Sequence, residues 1–371
     1  NWFSTDSESD IAEYFYAVGT TGGGTNIRAW TSAGTQTSFV ITSLPIQDGG
    51  KYYISVKSRN GAGAESAVGT SDGITVDLTP PSTPTVTDDG AYTTDGTKLH
   101  AVWSASDPQS GIARYEYSVG TSAGANDVRD WTSAGTATNY TIGGLSLQSG
   151  LKYYISVRAV NKAGATGPVG YSDGIFVEST PPTTPIVTDD GDYTRGTTTL
   201  KANWSSEDPE TGVVDYKYSI GTSPGAANVV SWTDIALATS IQRTDLTLQQ
   251  GGTYYINVKA TNGVGLVSEI GSSDGITVDN TAPTAPTVDD DGDFTADNAQ
   301  LHAMLLANDA ESGIASYECA VGTTSGGADI ANWINVGPGP DAIISGLSLV
   351  DGKKYYITAR ATNGAGITSP V

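Results

Sequence analysis

The chain repeats itself every 101 residues without an insertion or deletion. Tyr52-Tyr53 returns as Tyr153-Tyr154, Tyr254-Tyr255 and Tyr355-Tyr356, and Trp30 returns as Trp131, Trp232 and Trp333. Gly19 recurs as Gly120, Gly221 and Gly322. A fixed period of this kind marks one structural unit copied in tandem. A catalytic site is normally single, so faithful copying favours a modular, extended protein over an enzyme.

The period is of ordinary domain size, so each unit is large enough to bury its own core. The 46 glycines, 19 tyrosines and abundant Thr and Ser point to β-structure. Forty acidic against 18 basic residues give a net charge of −22, which repels nucleic acid and anionic membranes. The same surface suits divalent cations, high salt or simple colloidal solubility. Cys319 is the single cysteine, so no intrachain disulfide is available and the cores must hold the units. No apolar run approaches the roughly 18 residues of a membrane span. No leader is visible, and Asn1 reads as the start of a mature or trimmed chain.

The unit at 79–179 reads as a series of short strands. Pro84-Thr85-Val86 opens it, followed by an Asp88-Asp89-Gly90 turn. From Lys98 to Ser104 the pattern alternates, with Leu99, Ala101 and Trp103 on one face. Tyr115, Tyr117 and Val119 share a face of the next strand, and a Gly-rich loop region from Gly120 carries Trp131. Tyr140 and Ile142 mark another strand. Tyr153, Ile155, Val157 and Ala159 line one side of a long strand, and 174–178 forms the last. About seven short strands with regular turns predict a two-sheet β-sandwich.

Leu147-Gln148-Ser149-Gly150-Leu151-Lys152-Tyr153, followed by Ile155, Val157, Ala159, Asn161 and Gly164, resembles the E–F corner and F strand of fibronectin type III domains. Ile46 with Tyr52, Leu248 with Tyr254 and Leu349 with Tyr355 match it. The resemblance implies a tyrosine corner, in which the hydroxyl bonds back to nearby backbone. It also makes Trp2, Trp103 and Trp204 the buried tryptophan of the second strand, replaced by Leu305 in the last unit. The longer stretch from Gly120 to Gly135 is similar to variants in prokaryotic surface and secreted proteins.

The expected architecture is all-β: four tandem fibronectin type III-like (immunoglobulin-like) sandwiches at 1–78, 79–179, 180–280 and 281–371. The first and last are expected to be incomplete. Unit 1–78 lacks its first strand and most of its second, and unit 281–371 lacks its last. A longer array, or completion by another chain through strand addition, would account for open ends.

Acidic residues recur near the unit boundaries. Asp77 with Asp88 and Asp89, Glu178 with Asp189 and Asp190, and Asp279 with Asp289, Asp290 and Asp291 repeat one arrangement. Asp107, Asp208 and Asp309 lie in turns expected at the same end of the sandwich. Calcium takes six to eight oxygens from such groups, so Ca²⁺ at the junctions is one reading. Solvated carboxylates in Asp-Asp-Gly turns are the other. The stretch at 289–298 is not an EF-hand, because Asn298 stands where the glutamate belongs.

Trp30, Trp131, Trp232 and Trp333 either cap the core or contact a sugar or neighbouring subunit. Tyr53, Tyr154, Tyr255 and Tyr356 should face outward and form a recurring contact stripe or an ordinary exposed face. Asn139-Tyr140-Thr141 and Asn203-Trp204-Ser205 fit the N-glycosylation sequon. His100 and His302 share a repeat position that Lys201 occupies in the third unit, and Cys319 replaces a core tyrosine.

No nucleophile–base set, phosphate loop or metal-ligand spacing appears. The expected function is that of an extracellular, cell-surface structural or adhesive array, with copies of itself or adjoining repeats as partners. The alternatives are the spacer region of a secreted polysaccharide-degrading enzyme and an adhesin that binds surface glycans.

Overall fold

The computed structural model describes residues 1–371 and contains strands and turns without a helix. No helix is therefore long and apolar enough to cross a membrane. The chain divides into two compact units, Asn1–Ser179 and Thr180–Val371, and each holds two repeats.

In the repeat at 79–179, Leu99–Ser104 is the centre of a three-stranded sheet flanked by Thr85–Asp88 and Asn139–Ile142. The facing sheet runs Arg129–Gly135, Ile112–Gly120, Lys152–Asn161 and Ile175–Val177, with Gly170–Tyr171 also on the long strand. Tyr92–Thr93 adds in parallel beside Ile175–Val177, a short strand that periodicity could not reveal. Alternation places Leu99, Ala101 and Trp103 inward against Tyr115, Tyr117, Val119, Ile155 and Val157. Each fully buried large side chain contributes roughly 1.5–3 kcal/mol. The Trp103 Nε1–H donates to Ala137 O at 3.0 Å.

The repeat at 180–280 has the same order: Ile186–Asp189, Leu200–Ser205 and Ser240–Arg243 face a sheet built on Val213–Gly221 and Thr253–Asn262. At 281–371, Thr287–Asp290, Gln300–Leu306 and Asp341–Ser345 face Ala331–Gly337, Ile314–Gly322 and Tyr356–Asn363. Leu305 fills the tryptophan position there and is fully buried. Residues 1–78 form a single five-stranded sheet around Ile11–Gly19 and Lys51–Asn60. Its packed centre is small, with Tyr14, Tyr16 and Ala33 buried.

The tyrosine corner is present in all four repeats. The hydroxyls of Tyr52, Tyr153, Tyr254 and Tyr355 accept from the backbone N–H of Gln47, Gln148, Gln249 and Val350 at 2.8–2.9 Å. Each bond ties the bend to the long strand that follows it.

The recurring tryptophans do not sit in a Gly-rich loop. Trp30, Trp131, Trp232 and Trp333 lie on the strands Arg28–Gly34, Arg129–Gly135, Val230–Asp234 and Ala331–Gly337. A bulge explains the difference: Val119 pairs with Arg129 and Tyr117 with Thr132, so the edge strand carries one extra residue. That residue breaks the two-residue alternation from which a strand is read. The same shift recurs in the other three repeats.

Candidate functional site

Two boundaries lie within the compact units, and each is closed by a knot of polar side chains. At the first, the linker residue Asp77 reaches into the following repeat. Asn161, only 1% exposed, donates from Nδ2 to Asp77 Oδ2 at 2.8 Å, Asp107 Oδ2 at 3.0 Å and Thr79 O at 3.1 Å. The Asn161 Oδ1 accepts from Ala165 N–H at 2.7 Å, which fixes the amide's orientation. Ser110 Oγ–H also donates to Asp77. Asp107 Oδ1 caps its own turn, accepting from Ser110 and Gly111 N–H at 2.9 and 3.0 Å.

The boundary near residue 280 repeats this construction. Asn363 Nδ2 donates to Asp279 Oδ2 at 2.8 Å, Thr281 O at 2.9 Å and Asp309 Oδ2 at 3.1 Å. Its Oδ1 accepts from Ile367 N–H at 2.7 Å. Asp279 is fully buried and also accepts from Ser312 Oγ–H and from Gln250 Nε2. Arg195 of the third repeat donates to Ala365 O at 2.7 Å and to Gly366 O in the fourth.

These bonds set the electrostatics. Burial pushes the Asp279 carboxyl up, but Ser312, Thr281 and Gln250 outweigh it and hold the group below its ordinary range. Asp107 is likewise raised by desolvation and lowered further by Asn161 and the Ser110 and Gly111 amides. For Asp208 the desolvation is offset by Thr211, Asn262 and Gly212. Asp208 accepts from Asn262 Nδ2 at 3.0 Å within its own unit. Glu178 is fully buried at the end of the second repeat, where Ser149 Oγ–H donates to it at 3.4 Å.

The structure thus joins Asp77 with Asp107, and Asp279 with Asp309. Asp88 and Asp189 accept from Gly90 and Gly191 N–H in their own turns, and Asp290 from Gly292. Asp89 and Asp291 meet His100 and His302 at 2.6 and 2.7 Å, and Asp190 faces Lys201 at 3.8 Å. Sequence reasoning took Asn161 only as part of the F-strand motif and missed its junction role, along with Asn363, Ser110, Ser312 and Glu311. The signal for the amide was its recurrence as Asn60, Asn161, Asn262 and Asn363.

Single carboxylate oxygens of Asp279, Asp309 and Glu311 lie within 4.8 Å of one another. In the first knot the Glu311 position is Gln109, whose Nε2 donates to Asp48 Oδ2 at 3.2 Å. The facing oxygens of Asp279 and Asp309 both address the Asn363 amide, so a neutral donor occupies the point between the two charges. A hard cation needs that oxygen-rich centre to itself.

The outer faces of the sheets that contain the long strands Lys51–Asn60, Lys152–Asn161, Thr253–Asn262 and Tyr356–Asn363 carry a second recurring pattern. Lys57, Arg158, Lys259 and Arg360 lie over the rings of Trp30, Trp131, Trp232 and Trp333 at 5.1, 4.2, 4.5 and 4.2 Å. Arg158 and Arg114 both pair with Glu116 at 2.8 Å, and Arg360 pairs with Glu318 at 2.8 Å. Each tryptophan therefore has one ring face taken by a cation. Tyr53, Tyr154 and Tyr356 sit under Lys51, Lys152 and Lys354, while Tyr255 has Thr253 at the lysine position. The rings of Tyr53, Tyr154 and Tyr255 cover Gly73, Gly174 and Gly275, where an added Cβ would come within 2.8, 2.7 and 2.6 Å. All four tyrosines are half-buried. Cys319 is fully buried, and burial pushes its thiol up to about 11, so it is a poor nucleophile.

Strand order, facing sheets and tyrosine corners define this class: tandem fibronectin type III-like β-sandwiches. No family model matches the chain, and no curated protein does. Among solved structures, the chicken CNTN1 FN1–FN3 domains are 18% identical, with a TM-score of 0.30 over 79% of this chain and 96% of that one. The fibronectin(III)-like modules of Clostridium thermocellum CbhA are 16% identical, with a TM-score of 0.27 over 52% of this chain and 94% of that one.

Proposed function

We propose that this chain is a segment of an extracellular, non-catalytic structural array in which each sandwich is a spacer and adjoining repeats are its partners. The junction knot carries this reading. Asp77 and Asp279 are linker residues, yet their carboxylates are held inside the following repeat. A linker fastened in this way loses freedom that a flexible tether would keep. The Pro80-Pro81 pair and Pro283 stiffen the same segments. The test is limited proteolysis of the full chain, with cleavage sites mapped by mass spectrometry. The native linkers at 77–81 and 279–283 should resist cutting, whereas Asn161→Ala and Asn363→Ala should open them. Equal cutting of native and variant chains would remove the rigid-spacer reading.

Calcium is the second reading for the boundary at 280, favoured by Glu311 beside Asp279 and Asp309. It predicts a melting temperature for the 180–371 unit that rises with Ca²⁺, falls with chelator and loses this response in Glu311→Gln. A metal-independent melt assigns the boundary to the Asn363 amide alone. Glycan stacking on Trp131 is tested by titrating oligosaccharides against the native chain and Trp131→Ala.

A further inference from the structure

The fourth repeat departs from its siblings on the outer face of the sheet formed by Thr287–Asp290, Gln300–Leu306 and Asp341–Ser345. Met304, Leu306 and Ile343 project outward there and are 46%, 70% and 58% exposed. Met304 and Leu306 are alternate residues of the central strand, and Ile343 pairs with His302 on the neighbouring edge strand. One period earlier these positions are Asn203, Ser205 and Gln242, and two periods earlier Val102, Ser104 and Thr141. The inward residues keep their apolar character across the repeats: Ala101, Ala202 and Ala303 are all buried. Folding therefore accepts polar residues on this outer face, and packing does not explain the apolar ones.

The rim of the patch is acidic. Asp289 pairs with Met304 from one edge strand, and Asp341 pairs with it from the other. Asp291 and Asp341 hold His302 between them, Asp291 at 2.7 Å. Thr287–Asp290, Gln300–Leu306 and Asp341–Ser345 contain no Lys or Arg, whereas Lys201 stands at the His302 position in the third repeat. Three carboxylates outnumber His302 even when its ring is charged, so the rim stays net negative, and an exposed apolar cluster with such a rim has the character of a docking surface. A second copy of this chain, with a net charge of −22, would bring like charge against the rim.

We propose that this face of the fourth repeat docks a basic amphipathic segment of another polypeptide, with apolar side chains on Met304, Leu306 and Ile343 and Lys or Arg on Asp289, Asp291 and Asp341. This goes beyond the spacer reading, because a pure spacer repeat has no use for the patch.

The test uses the full chain and two synthetic peptides of equal length, one alternating Lys with Leu and one alternating Glu with Leu. The native chain should bind the lysine peptide, more weakly as salt rises, and should not bind the glutamate peptide. The variant M304N/L306S/I343Q carries the third repeat's residues and keeps every charge. It should bind the lysine peptide at least about tenfold more weakly. M304V/L306S/I343T, with the second repeat's residues, is the companion variant should the first fail to fold. Undiminished binding by the folded variants would reduce the interaction to bulk charge and overturn the proposal, as would no binding by the native chain. Sedimentation completes the test: native self-association abolished by the variant would make a second copy the occupant and overturn it equally.

Discussion

At Gly170 a single hydrogen atom decides whether the first strand of the second repeat can dock. A Cβ built there would stand 1.9 Å from the Pro84 carbonyl oxygen, and Gly271 meets Pro185 O at the same distance. A backbone atom cannot swing aside as a side chain can. Gly170→Ala should therefore destabilise the repeat by about 1–3 kcal/mol, the range for forced overpacking. Gly69 occupies the same position in residues 1–78, where the nearest atom to an added Cβ is 3.9 Å away. Gly69→Ala should cost far less. Hydrogen exchange at Ser172, whose N–H donates to Ile155 O at 2.9 Å beside this contact, reports the difference. Faster exchange in Gly170→Ala is the expected result, and unchanged exchange would show that the strand yields freely.

Among the elements, the Gln300–Leu306 strand has a pH-dependent cross-tie. His302 faces Asp291 in the turn after the first strand and Asp341 on the last strand of the same sheet. Hydrogen bonds that its ring N–H groups donate to Asp291 and then Asp341 raise the His302 pKa above its ordinary value. The charged form is therefore favoured in the folded state. The stabilisation is complete below the unfolded value of about 6.5 and is lost as pH rises through the higher folded value. The urea midpoint of the fourth repeat should fall across that upper window in the native chain but not in His302→Gln. How legible such elements were in the sequence follows from their geometry. Leu99, Ala101 and Trp103 alternate on an unbroken strand, so their burial could be read directly. The Trp131 strand was hidden because its bulge adds a residue and disrupts the alternation. The junction knot was less legible still. Asn161 meets Asp107 and Asp77 from 54 and 84 residues away, and no local spacing encodes that meeting.

Across the whole molecule, stability should be uneven although the sequence repeats evenly. Ile155 and Ile256 are fully buried between two sheets, whereas their counterpart Ile54 is 38% exposed. Residues 1–78 should therefore exchange amide hydrogens and unfold before residues 79–179, in steps that a single two-state midpoint cannot describe. Acid should act on a different part of the chain. Asp107, Asp208 and Asp279 have folded pKa values below the ordinary carboxylate range. Their contribution is complete above the unfolded value of about 3.9 and is lost as pH falls through the lower folded values. Protonation weakens the acceptors that hold Asn161 and Asn363, while the apolar interior of each sandwich carries no such charge. On acidification, the amides of Ala165 and Ile367, which donate to those two asparagines, should therefore lose protection relative to the intrinsic exchange rate before those of Val157 and Val258. If the core and junction amides lost protection together, the knots and sandwiches would form one cooperative unit, and the linkers could not yield ahead of the domains they join.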